Sequence, residues 1–80
     1  MDLLEQKIYA MLNKILDIPN TIIINNNEDL LKYGLNSLAT IKLILQLELE
    51  FEIEFSDEEL LTENFNTLSK IMDQISNKFI

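Results

Sequence analysis

The chain has no cysteine, no histidine, no tryptophan and no arginine, and its 80 residues include one glycine and one proline. Without cysteine there is no disulfide framework and no thiolate nucleophile, so any thiol chemistry must come from outside the polypeptide. Without histidine the commonest general base and the commonest metal ligand are missing, which excludes a Ser-His-Asp triad or a zinc site built from this chain alone. Cations are scarce: 14 acidic residues against 6 lysines leave a net charge of −8. Such a chain repels phosphate backbones and anionic lipid surfaces, which argues against nucleic-acid and membrane partners and for basic proteins. No apolar run approaches the ~20 residues that cross a bilayer, and no charged leader with an apolar core opens the chain, so a cytoplasmic location is expected. A domain this small hides only about 60% of its unfolded surface. That leaves little room for an enzyme pocket, and a single non-enzymatic domain over 1–80, acting as a monomer, is expected.

What is present is apolar periodicity. The hydrophobic content of 48% opposes general disorder, and the shortage of turn formers favours an all-α fold. Leu4, Ile8, Met11, Leu12 and Ile15 share one face of a helix predicted over 3–16, with Asp2 as its cap and Pro19 ending it after a frayed Leu16-Asp17-Ile18. Thr21 to Ile24 has strand-like composition, but no second run stands ready to pair with it, so it is expected as extended loop on the core. Asn25, Asn26 and Asn27 make a solvated turn. Asp29 to Tyr33 makes one helical turn closed by Gly34, with Leu31 inward.

The next helix, 37–51, carries two apolar stripes. Leu38, Ile41, Leu45 and Leu49 lie along one side, and Leu43, Ile44, Leu47 and Phe51 lie nearly opposite. A bundle this small buries one of them, here taken as the one holding Leu43, Leu47 and Phe51. The Leu38 stripe, which starts one residue after Ser37 and is flanked by Lys42, is left for partner docking. The competing arrangement folds residues 21–33 over it. The acidic run from Glu48 to Glu59 lacks the spacing of a calcium loop, so no metal is expected and a solvated face is. Ser56 and Glu59 form a capping box for a short helix over 57–62. Asn66 or Thr67 caps a last helix over 67–79 with Leu68, Ile71, Ile75 and Phe79 inward. Phe55 and Phe65 pin the short helix to the core.

The chain turns on Gly34-Leu35-Asn36-Ser37-Leu38, where a glycine-bearing loop gives way to the long helix. Asn36 or Ser37 caps the free N–H groups of the first turn, and the Ser37 hydroxyl stands at the positive end of the helix dipole, a place that attracts phosphate. Together with Asp29 to Leu38, the continuation Ile41 to Phe55 and the later Asn64-Phe65-Asn66-Thr67-Leu68, this pattern resembles the acyl and peptidyl carrier protein family along essentially the whole chain. The resemblance implies a small four-helix bundle with a long loop between helices one and two and a short third helix. It also implies a 4′-phosphopantetheine arm on Ser37, flanked by Asn36 and Leu38, whose thiol holds acyl or aminoacyl groups as thioesters.

The partners so implied are a phosphopantetheinyl transferase, an adenylating or acyl-loading enzyme and a downstream condensing or tailoring enzyme. They would meet Leu38, Ile41, Lys42, Leu45 and Leu49. Carriers of primary fatty acid synthesis usually show Asp before the serine and acids on the docking face, whereas here Asn36, Ala39 and Lys42 stand in those places. The sequence reading therefore expects a free-standing carrier of a specialised, non-ribosomal peptide or polyketide-like pathway, with a fatty acid carrier as the alternative. A reading from another class, an acidic helical adaptor with Ser37 as plain cap or phosphorylation site, stays open at this point.

Overall fold

The computed structural model describes residues 3–19 and 21–79. Among them the regular structure is helical throughout: α1 (Leu3–Ile15), α2 (Ser37–Phe51) and α3 (Leu68–Lys78), with short 3₁₀ turns at Leu30–Tyr33, Asp57–Glu59 and Thr62–Asn64. The Asp2 cap lies outside the described residues. Helix α1 packs against both α2 and α3. Its buried Ile8 and Leu12 join Leu43, Ile44 and Leu47 of α2 and Leu68, Ile71 and Ile75 of α3 around Phe65. The Phe65 ring meets Phe55 edge to face at 5.4 Å, so these two aromatics hold the stretch between α2 and α3 on the core.

The expected third helix is absent: its place is taken by the two 3₁₀ turns Asp57–Glu59 and Thr62–Asn64. Glu59 does accept the Ser56 backbone N–H at 2.8 Å, as a capping residue should. However, residues 57–62 hold no apolar pair at helical spacing, and without a face to bury, a short helix does not recover its nucleation cost. Leu61 turns extended and ends the first turn.

The first helix also ends differently from expectation. It stops at Ile15, ahead of Pro19, because Asp17 takes a left-handed conformation (φ 55°) and the Ile18 N–H closes back on the Asn13 carbonyl at 3.1 Å. Ile18 is thereby buried in the core, not frayed. Thr21 to Ile24 is irregular as expected, but only Ile24 reaches the core. In α3, Thr67 is the cap, its hydroxyl accepting from the Lys70 N–H at 3.1 Å. Phe79 falls beyond the helix and is 64% exposed, so it is not part of the inner face. Its ring instead meets the half-buried Phe51 edge to face at 6.5 Å.

The rotation of α2 about its own axis follows from this core. Because successive residues turn about 100°, burying Leu43, Ile44 and Leu47 leaves Leu38, Ile41, Leu45 and Leu49 exposed, Leu49 at 76%. Residues 21–33 do not cover them. Truncating Leu47 to Ala should therefore cost roughly 2–5 kcal/mol through cavity formation, whereas Leu45→Gln or Leu49→Gln should stay within about 0.5 kcal/mol. Urea melts of the three variants check this, and equal losses in all three would mean that the faces are assigned wrongly.

Candidate functional site

Everything at the start of α2 serves to fix Ser37 at the first helical position. Asn36 is the cap: its backbone is extended and its side-chain Oδ1 accepts from the Ala39 N–H at 2.9 Å. The Thr40 N–H takes the first intrahelical bond, 2.8 Å to the Asn36 carbonyl. Of the four N–H groups that a helix start leaves without an intrahelical partner, here Asn36 to Ala39, the cap side chain takes that of Ala39, and those of Ser37 and Leu38 on the first turn remain for a ligand. Ser37 and Asn36 are both exposed. No acidic residue occupies the first turn of α2, so nothing on that turn opposes an anion at the dipole's positive end. A shallow depression of about 250 Å³ lies alongside, bordered by Gly34, Asn36, Leu38 and Lys42. The residues present thus suit a phosphate ester on Ser37: an accessible hydroxyl, two free donors and an uncharged first turn.

The loop before the serine is built to stop there. Gly34 has φ +99°, a conformation that strains any L side chain, and no atom would meet an added Cβ. The demand for glycine is thus one of backbone alone. The Gly34 N–H bonds the Leu31 carbonyl at 3.1 Å, and the Leu35 N–H bonds that of Leu30 at 3.2 Å. Leu35 then plugs the loop into the core. The inward residue of the preceding turn is Leu30, fully buried, and not the expected Leu31, which is 51% exposed. The turn is 3₁₀, with three residues per turn, so Leu30 and half-buried Tyr33 share the inner side and Leu31 is turned away. The Leu30 N–H also reaches the Asn66 carbonyl at 2.8 Å, tying the serine loop to the start of α3.

Two supports were not evident from sequence. Thr40 is buried, and its hydroxyl donates to the Asn36 carbonyl at 2.8 Å and lies 3.1 Å from the Thr62 hydroxyl. It thereby braces the cap against the second interhelical turn. A threonine four residues after a cap is the available signal, since such hydroxyls bond back to the i−4 carbonyl. The second is Glu28, whose carboxylate pairs with Lys32 and accepts from the Asn25 N–H at 3.1 Å and the Tyr33 hydroxyl at 2.9 Å. Lys32 first, then the Asn25 N–H and the Tyr33 hydroxyl, hold its carboxyl down at about 2. The same contact raises both Lys32 and Tyr33.

The Leu38, Ile41, Lys42, Leu45 and Leu49 side chains, singled out by sequence, are all brought together and exposed on one strip of α2 leading away from Ser37. Among the described residues no cluster of His, Cys, Asp and Glu is placed to hold a metal ion, and no helix is long and apolar enough to cross a membrane.

Because Glu28 is held below its ordinary value of 4.5, its contribution to stability is complete above that pH and is lost as pH falls from 4.5 toward 2. The melting temperature of the wild type should exceed that of Glu28→Gln near neutrality, and the gap should close through that window. A gap independent of pH would show that the carboxylate charge does not secure the loop.

The matched regions run through this whole arrangement. Residues 6–75 match the family model described as phosphopantetheine attachment site. The chain is 41% identical to an acyl carrier protein of Buchnera aphidicola subsp. Schizaphis graminum (strain Sg) over 78 residues, 98% of this chain and 96% of that protein. It is 41% identical to the acyl carrier protein of Buchnera aphidicola subsp. Acyrthosiphon pisum (strain 5A) over 75 residues, 94% and 91% of the two chains. With similarity extending over nearly the full length of each partner in the comparison, the chain belongs to the acyl carrier protein family, and its prosthetic group is a covalently attached 4′-phosphopantetheine.

Proposed function

We propose that Ser37 is the residue that receives the phosphopantetheine, and that the chain serves as a non-enzymatic, monomeric, cytoplasmic carrier of acyl groups. The observation that carries the assignment is the exposed Ser37 hydroxyl at the first position of α2, beside two unengaged N–H groups and behind the Asn36 cap. The arm supplies a terminal thiol, which the polypeptide lacks, to hold cargo as a thioester. The chain's own residues position the attachment. Asn36 and Thr40 fix the turn, Gly34 sets its approach, and the dipole of α2 stabilises the phosphodiester charge. The chain has no histidine, and no carboxylate stands on the first turn of α2. The base that removes the Ser37 proton is therefore supplied by the transferase.

Leu38, Ile41, Lys42, Leu45 and Leu49 form the surface that the transferase, the loading enzyme and a condensing or tailoring enzyme meet. Exposed apolar side chains grouped this closely mark an interaction surface, and their strip begins beside the attachment point. Encounters should be short-lived, letting one carrier serve several enzymes.

The relatives' name supports acyl cargo. The specialised pathway and aminoacyl loading anticipated from Asn36, Ala39 and Lys42 gain nothing from it. What favours that reading is only the uncharged first turn of α2 and the exposed Lys42 further along.

Incubation with coenzyme A and a broad-specificity phosphopantetheinyl transferase should raise the intact mass by one phosphopantetheine, and Ser37→Ala should gain none. Leu45→Gln and Leu49→Gln should fold but be modified more slowly. An unmodified wild type, or a modified Ser37→Ala, contradicts the assignment.

A further inference from the structure

Three of the chain's six lysines, Lys7, Lys14 and Lys42, stand around one groove. It runs between α1 and α2, holds about 580 Å³, and has Met11, Ile15 and Leu45 among its apolar walls. The two helices are antiparallel here. At one end Lys7 meets Glu50 at 3.2 Å and lies over the Phe51 ring at 5.9 Å, so its charge is already answered. At the other end Ile15 and Lys42 also border the depression beside Asn36, so the groove opens next to the serine. Lys14 and Lys42 are exposed, and among the described residues neither has a carboxylate within ion-pairing distance. In a chain of net charge −8, Lys14 and Lys42 make the groove's own lining cationic at this end, with Asp17 the one carboxylate bordering the depression beyond it.

We propose that this groove docks an amphipathic helix of a partner protein, one that brings carboxylates to Lys14 and Lys42. The span of α2 from Lys42 to Glu50 is about 12 Å at 1.5 Å per residue, enough for two turns of a second helix. An occupant with apolar residues at i, i+4 and i+7 fills such a groove in the helix-in-groove mode. The charges orient it. Acidic residues belong at the Ser37 end, where two cations lack partners, and the far end is closed by the neutral Lys7–Glu50 pair. A basic helix would meet like charge where the groove opens, which excludes it despite the acidic surface elsewhere. That such a partner visits the Ser37 site rests on the carrier reading, but the occupancy of the groove does not, and the unmodified chain is used below so that the two fail separately.

The test uses two synthetic helical peptides that share a leucine ridge at i, i+4 and i+7, one flanked by glutamates and the other by lysines, titrated into the unmodified chain and followed by amide NMR. The glutamate peptide should shift Met11, Lys14, Ile15, Lys42 and Leu45 and bind there about fivefold more tightly than the lysine peptide, the yield of two exposed ion pairs. Changing both Lys14→Glu and Lys42→Glu should reverse the preference; should that variant not fold, the comparison of the two peptides on the wild type still decides. Preference for the lysine peptide in this groove, or no shift from either, overturns the proposal. So do the same shifts on merely concentrating the chain, as a second copy would give.

Discussion

The burial of one side of α2 is the constraint on which the rest depends. Leu43, Ile44 and Leu47 lock that helix against α1 and the Phe65 centre, and a locked helix has no freedom to choose what its other side presents. With about 100° between successive residues, the strip from Leu38 to Leu49 must face outward. The exposed apolar strip is thus the geometric remainder of the core. Thr40 links the two, since it lies on the buried side yet holds the Asn36 carbonyl that begins the helix.

The loop ahead of Ser37 has a different kind of support. It has little core of its own, so it is fixed by backbone closure at Gly34, by the buried anchors Leu30 and Leu35, and by the Glu28, Lys32 and Tyr33 cluster. A second ion pair, Lys78 with Glu59 at 2.7 Å, fastens the end of α3 to the interhelical segment. Lys78 first, then the Ser56 N–H, draw the Glu59 carboxyl down to about 2. Cations are few, and three of them, Lys32, Lys70 and Lys78, are spent on holding loops in place.

The sequence made the parts with strong periodicity legible. The three α-helices, the choice of the Leu43 side over the Leu38 side and the Asn36 cap all follow from apolar spacing and capping chemistry. What escaped was decided by tertiary context or by a change of period. Leu31 is expected inward on a helical turn, but the turn is 3₁₀ and puts Leu30 there instead. The capping box at Ser56 was real, but no apolar face followed it, so one turn formed and not a helix. Asp17 closed α1 before Pro19 could, through a left-handed residue that propensity does not favour at aspartate over glycine. Phe79 continued the spacing of Leu68, Ile71 and Ile75, yet the helix ended one residue earlier. The site was legible as the segment Gly34 to Leu38; its bracing by Thr40 and Thr62 was not, because it joins residues 22 positions apart.

On the function proposed, the phosphopantetheine arm sits at the start of α2 and nowhere else. The most direct measurement is fragmentation mass spectrometry of the modified protein, which locates the added mass along the chain. It should fall on Ser37 alone. Mass carried by Ser56, Ser69 or Ser76, or spread over several hydroxyls, would contradict it.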